Sequence, residues 1–249
     1  MANIEFIQTV ETMLPTLTLS EAAASHLGGI SVTGIYGPPK SGKHSVLLEA
    51  TTAVATWDTT RQTGEFEPTD KHNHISSDSE LQEVVDTLRQ GEYAHAGIYN
   101  GEFYGVRASE YTKTDTGVIL VDMARHRIHE LRAKEAFEAV HEVMIVADGY
   151  NRWQTNFIGA LGYDVAKIAQ LMDSTEKLLV ESLEGADAHD PQDGLYIVAN
   201  QYPFFTAKII DAYANNGDVY SDVKEHGYNA AEAILNRIKA RPLGLPQAC

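Results

Sequence analysis

One cysteine in 249 residues, Cys249 at the last position, rules out a disulfide within the chain, and a reducing compartment is expected. Cations are scarce as well: 19 Lys and Arg stand against 35 Asp and Glu, a formal net charge of -16. A surface that acidic repels phosphate backbones, which excludes general coating of DNA or RNA. Any polyphosphate must then be held by a local cluster of donors working against the overall field. No Lys or Arg precedes Lys40, so a secretory signal with a basic start is not expected. No apolar run is long enough to cross a bilayer, and neither repeats nor low-complexity segments occur. The expectation is a cytoplasmic domain with no membrane partner.

What is present is a chain 43% hydrophobic, long enough for one substantial core. Residues 1–29 carry a weak helical pattern (Ile4, Phe6, Ile7, Val10, Leu14), then Pro15 and an Ala-rich piece ending at Gly28-Gly29. They read as an N-terminal extension. Buried strands are expected at 30–36, 117–122, 143–147 and 194–199, from short apolar runs rich in β-branched residues. Helical patterns separate them at Lys43 to about Val54, Ser79–Gln90, Ala124–Ala139, Val165–Leu183 and Phe205–Ala214. Residues 215–249 form a polar tail, helical over Ala230–Ala240. Apolar strands alternating with helices indicate an α/β fold with a parallel sheet covered on both faces.

Between the first strand and the first of these helices lies GIYGPPKSGKHSV, residues 34–46. Gly37 and Gly42 let the chain curl so that backbone N–H groups converge on phosphate oxygens. The helix start adds its positive end, and the Lys43 ammonium can reach terminal phosphates. Gly37, Pro38, Pro39, Lys40, Ser41, Gly42, Lys43, His44 and Ser45 are the candidate nucleotide-binding residues. They fit G-x-x-x-x-G-K in the strand-loop-helix context that motif requires, which makes the fold a three-layer P-loop NTPase fold. His44 stands where a hydroxyl normally offers an oxygen to Mg²⁺, and imidazole suits so hard a cation poorly. Ser45, one residue on, is rotated by roughly 100°.

Further along come Thr59-Thr60-Arg61-Gln62, Gly64-Glu65, His72-Asn73-His74-Ile75-Ser76, Gly91-Glu92-Tyr93 and Gly101-Glu102-Phe103-Tyr104-Gly105. This series resembles the guanylate kinase family: its T-T-R segment, its G-E, its strand entering an acidic helix and its N-Y-Y-G turn. Val118–Asp122 is similar to the family's apolar strand ending in Asp, and residues 197–200 to its late I-V-N segment. The resemblance spans about 30–212 and implies a domain of 30–214. Within it, an acceptor-binding insert occupies about 57–108 and a lid-like segment about 149–192. It implies a nucleoside monophosphate kinase using ATP and Mg²⁺, with a nucleoside monophosphate as second substrate; a homodimer stays open. Lys43, Arg61 and Asp122 would be catalytic, Asp122 lying near the metal. Arg61 and Tyr104 would grip the acceptor phosphate, a role that suits the guanidinium fork. By the same alignment His72, His95 and Val106 complete the acceptor-binding set.

The pattern is broken at several of these places. Thr63 replaces a second arginine, His72 a tyrosine, His95 the glutamate that reads guanine, and Val106 a small hydroxyl residue. A neutral histidine cannot reproduce a carboxylate's two-point contact with guanine, so guanine is not expected to be preferred. The lid, arginine-rich in the family, carries only Lys167 as a cation over residues 156–172. Loss of such arginines costs on the order of 10³ in rate, with Arg125, Arg127 and Arg152 as candidate replacements. The rival reading is a guanylate kinase-like nucleotide-binding or protein-interaction module with weak or no activity. Retention of Lys43 favours the kinase. Other features read as structural: His126, His129 and His141 lack zinc-site spacing, residues 181–193 form an acidic loop, no intrinsic metal site is expected, and Trp57 and Trp153 pack.

Overall fold

The computed structural model describes residues 2–62, 72–111, 117–161, 165–184, 195–216 and 221–240. In chain order its elements begin with α1 (Ala2–Met13), a single 3-10 turn (Leu14–Thr16), α2 (Glu21–Leu27), β1 (Ser31–Tyr36) and α3 (Lys43–Glu49). Next come β2 (Trp57–Thr59), β3 (His72–His74), α4 (Asp78–Arg89), β4 (Tyr93–Tyr99), β5 (Glu102–Arg107) and α5 (Ala108–Tyr111). The remainder are β6 (Val118–Asp122), α6 (Arg125–Ala133), β7 (Ala139–Ala147), α7 (Tyr150–Leu161), α8 (Val165–Glu184), β8 (Leu195–Asn200), α9 (Pro203–Asn216) and α10 (Ser221–Lys239). One parallel sheet has the order β6-β1-β7-β8, and a smaller mixed sheet the order β3-β2-β5-β4. No described helix is long and apolar enough to cross a membrane.

The chain divides into two compact units: Met1–Val32, Ala53–Val121 and His126–Val140 in one, Thr33–Thr52, Asp122–Arg125 and His141–Cys249 in the other. In the first, α4 starts with a reciprocal cap in which Ser77 and Glu80 each bond the other's backbone N–H. Its apolar positions Leu81, Val84, Val85 and Leu88 recur at helical spacing and bury one stripe. That stripe packs with Phe6 and Val10 of α1 against Tyr93, Ala96 and Phe103 of the small sheet. Phe103 meets the Phe6 and Tyr93 rings edge-on at 5.7 and 5.6 Å. β4 turns into β5 through Asn100 and Gly101, both left-handed at φ 52° and 77°, as a tight hairpin of matching twist requires. Buried Asp58 accepts from the Tyr93 hydroxyl, from Arg107 Nε at 2.7 Å and from Asn73 Nδ2 at 2.9 Å. Burial first, and then the Asp58 charge, hold the Tyr93 phenol far above its ordinary pKa, so it stays a donor.

In the second unit β7 and β8 pair in parallel from Glu142↔Leu195 to Ala147↔Asn200. Buried Glu142 meets Arg125 at 3.3 Å, and Arg125 also donates to the Glu181 carbonyl at 2.7 Å.

The local pattern misplaces several ends. The helix expected to run from Lys43 to about Val54 stops at Glu49. Asp211 of α9 takes the N–H groups of Thr51 and Thr52 at 2.9 Å each, so these amides bond a carboxylate in place of the carbonyls of a continuing α3. The helix expected at 124–139 ends at Ala133, where Glu135 turns left-handed (φ 51°) and Glu138 donates its N–H to Ile30. The strand after it therefore begins at Ala139 rather than 143. α10 begins at Ser221, nine residues before the expected start at Ala230. Gly194, Thr63, Gly64 and Glu65 lie outside the described residues.

Candidate functional site

The candidate residues fall into two groups, one in each unit. The first is the loop between β1 and α3. Gly42, at φ 85°, caps α3, and any Cβ there would sit 2.4 Å from Asn200 Nδ2; one on Gly37 would sit 2.1 Å from the Ile145 carbonyl oxygen. Only glycine fits either position. Lys40 is also left-handed, at φ 64°. Three loop carbonyls are tied down: Trp153 Nε1 donates to Pro39 at 3.0 Å, Asn156 Nδ2 to Lys40 at 3.2 Å, and Asn200 Nδ2 to Ser41 at 3.1 Å. In a trans peptide N–H opposes C=O, so the N–H groups of Lys40 and Gly42 face away from Trp153 and Asn200. The Ser41 hydroxyl is buried and has no hydrogen-bond partner among the described residues.

Beyond the loop, Lys43 Nζ lies 3.2 Å from Asp122 Oδ1, and both side chains remain about a third or less exposed. One cation and one hard oxygen donor thus stand together at the loop's exit. That pairing, the two obligatory glycines and the unpartnered Ser41 hydroxyl suit a nucleotide polyphosphate with its divalent cation. His44, half-buried in the first turn of α3, brings no oxygen, and Ser45 is exposed. Trp153, expected to pack, is buried and also fastens the loop.

The second group lies on the small sheet. Residues paired across strands share a face, as do alternate residues along a strand. The register His95↔Val106, Gly97↔Tyr104, Thr59↔Tyr104, Thr59↔His74 and Trp57↔His72 therefore puts His72, His95, Tyr104 and Val106 on one face. Phe103 and Ala96 point to the core on the other. The Trp57 ring lies 5.9 Å from His95 and 6.4 Å from Tyr104, edge-on to both. Arg61 follows β2 directly; its N–H donates to Thr59 Oγ1 at 3.1 Å, and its carbonyl accepts from His74 Nδ1 at 2.7 Å. A carbonyl only accepts, so His74 carries its proton on Nδ1.

His95 is almost wholly buried. Burial, helped by Arg127, Lys134 and His126, pushes its pKa down to about 3, so the ring is neutral at physiological pH. Glu130 Oε2, 3.8 Å from His95 Nδ1, is too far to bond it and meets no charge there.

Sequence patterns give none of Trp57, Gly97, Arg127 and Glu130 a place in the acceptor site. Trp57, expected to pack, is buried as a packing residue is, yet its Nε1 has no partner among the described residues. Arg127 lies over Gly97 inside β4: a Cβ there would meet Arg127 Nη2 at 2.6 Å and Cζ at 3.1 Å. Glu130 holds that guanidinium with both oxygens, 2.8 and 3.1 Å from Nη1. The only local sign of this arrangement is a glycine in a strand interior, which often marks a close approach.

The chain is thus an α/β protein with a P-loop-like fold, a parallel four-stranded sheet accompanied by a smaller mixed one. No protein-family model and no curated protein matches it. Among solved structures it is similar to guanylate kinase from Anaplasma phagocytophilum, over 79% of this chain and 89% of that one, with 15% identity and a TM-score of 0.45.

Proposed function

We propose that the chain is a nucleoside monophosphate kinase-like phosphotransferase: ATP plus a (deoxy)nucleoside monophosphate gives ADP and the nucleoside diphosphate, without preference for guanine. The observation that carries this reading is the loop closed by Gly37 and Gly42 and followed at once by the Lys43–Asp122 pair. In this reading the loop amides and Lys43 hold the donor phosphates, and Asp122 supplies oxygen to Mg²⁺. The metal, when bound, neutralises charge on the phosphates. Arg61 and Tyr104 hold the acceptor phosphate, with His72 beside them, while His95 and Val106 lie at the base. Lys43 stabilises the charge spread over the transferring group, the main form of catalysis available to phosphoryl transfer. The setting is nucleotide metabolism in the cytoplasm.

One observation favours the second reading, a nucleotide-binding or interaction module that transfers phosphate weakly or not at all. Arg125 is engaged by Glu142 and Glu181, and Arg127 by Glu130. Two of the arginines that could replace the missing lid arginines thus already have carboxylate or carbonyl partners. A panel of ribo-, deoxyribo- and base-modified monophosphates with ATP and Mg²⁺, read as diphosphate formation beside calorimetric ATP binding, decides. Turnover with any acceptor supports the kinase. ATP binding without turnover selects the module, and absence of ATP binding overturns both.

A further inference from the structure

The placement of Arg127 is not explained by the lid role for which it was a candidate. Its guanidinium lies over the bare backbone of Gly97, on the edge strand β4, on the sheet face that carries His95, Tyr104 and Trp57. Two features say the placement is built rather than incidental. Glu130, one helical turn along α6, holds Nη1 with both carboxylate oxygens and so anchors that end of the fork. Gly97 leaves the room, since a Cβ there would come within 2.6 Å of Nη2 and the guanidinium would have to shift.

Two of the polar side chains at this place can only donate. Arg127 has donors only. Trp57 adds a buried indole N–H with no partner among the described residues, and an indole nitrogen cannot accept. Val106 is apolar and fully buried. Of the carboxylates among the described residues here, Glu130 has both oxygens turned to Arg127 Nη1, and Glu102, on the face of Tyr104, accepts from Thr60 Oγ1. A base edge laid on this surface is well matched where it carries a carbonyl oxygen. An exocyclic amino group in the same place sets donor against donor and leaves both without a partner.

Building on the proposed acceptor role of this sheet face, we propose that Arg127, positioned by Glu130, is the base-discriminating residue. It selects monophosphates whose base presents an oxo group (uracil, thymine, hypoxanthine, guanine) over those presenting an amino group (cytosine, adenine). The discrimination is by O versus NH₂ at one ring position, not by purine versus pyrimidine.

The test uses two matched pairs, UMP against CMP and IMP against AMP, with affinities measured by calorimetry on the full-length chain. The wild type should bind the oxo member of each pair at least about tenfold tighter, the scale set by leaving a buried polar group unmatched. Arg127→Met should bring both ratios to near unity, and Glu130→Gln should reduce them several-fold by loosening the fork. Because each ratio is taken within one protein preparation, general destabilisation of a variant cancels. Binding of all four by the wild type without an oxo preference overturns Arg127 as reader and leaves the acceptor role standing. So does a preference that survives Arg127→Met. If Arg127→Met tightens all four equally, Arg127 obstructs the face instead of reading it, and the proposal falls. If none of the four binds the wild type, the acceptor role of this face falls with it.

Discussion

Replacing Lys43 with Met removes the one ammonium at the exit of the loop while keeping the length of the side chain. Lys43 Nζ lies 3.2 Å from Asp122 Oδ1, so the substitution does two things at once. It deletes charge-assisted hydrogen bonds to the phosphates, worth about 1.5–3 kcal/mol each. It also takes away the ammonium that faces the Asp122 carboxylate, adding about 1–2 kcal/mol of repulsion towards an incoming anion for unit charges on the order of 10 Å apart at an effective dielectric near 20. ATP affinity should then fall on the order of 10²–10³-fold in calorimetry with Mg²⁺ present. Measured without Mg²⁺, the double change Lys43→Met, Asp122→Asn should recover about tenfold of that loss, since there it removes only the repulsive part. The fold should barely notice. A partly exposed ion pair contributes less than about 1 kcal/mol, so Tm should move by under about 4 °C. ATP binding by the Met variant within about threefold of wild type would refute the reasoning, because a loop that holds phosphate without Lys43 is not the site described.

Three further outcomes are expected. Arg61→Ala should raise KM for the monophosphate about 10–100-fold, the worth of a guanidinium–phosphate contact, while KM for ATP stays nearly constant; equal effects on both substrates would remove Arg61 from the acceptor phosphate. His44→Ser offers an oxygen where the imidazole offers none, and should raise kcat by about tenfold, ~1.4 kcal/mol, with tighter Mg²⁺ dependence. A fall in activity would give the imbalance to an active role of the imidazole. His95, with its pKa pushed from 6.5 down to about 3, binds its proton in the unfolded chain before it does in the folded one. Its contribution is therefore full above pH 6.5, and stability should drop by up to about 1.4 kcal/mol per unit as pH falls from there towards 4. Urea unfolding across that range should show a shallower slope for His95→Phe than for wild type; identical slopes would mean the imidazole is not buried neutral.

How far sequence reaches here depends on how local the cause is. β1 was readable because six consecutive residues with β-branched enrichment have only one way to bury themselves, and the loop after it because glycine spacing encodes its own curl. α4 was placed within a residue at each end, since its cap and its apolar stripe both lie inside the segment. The end of α3 was not readable, because the carboxylate that captures Thr51 and Thr52 belongs to Asp211, 160 residues away from Thr51. That carboxylate is partly buried, which raises its pKa, yet bonds from Thr51 and Thr52 outweigh burial and hold it below its usual value. The end of α6 is of the same kind: Lys134-Glu135-Ala136 are good helix formers, overruled by Glu138 bonding Ile30 and Lys134 donating to Ala94 at 2.8 Å.

The same distinction runs through the candidate site. Lys43 and Asp122 are each legible within a short motif, and their meeting at 3.2 Å follows once the strands carrying those motifs lie in one sheet. The acceptor face is different in kind, because its chemistry comes from pairs that no window contains: Trp57 with His95, and Gly97 with Arg127. His95 shows what this costs a residue-by-residue reading. Taken alone it is a histidine able to gain a proton near neutral pH and to present a cation to a ligand. Placed beneath Trp57 and beside Arg127 and Lys134 it cannot hold that proton, and the positive charge on the face belongs to Arg127 instead. Selectivity at this face should accordingly follow the guanidinium and be indifferent to pH across the range in which free histidine titrates.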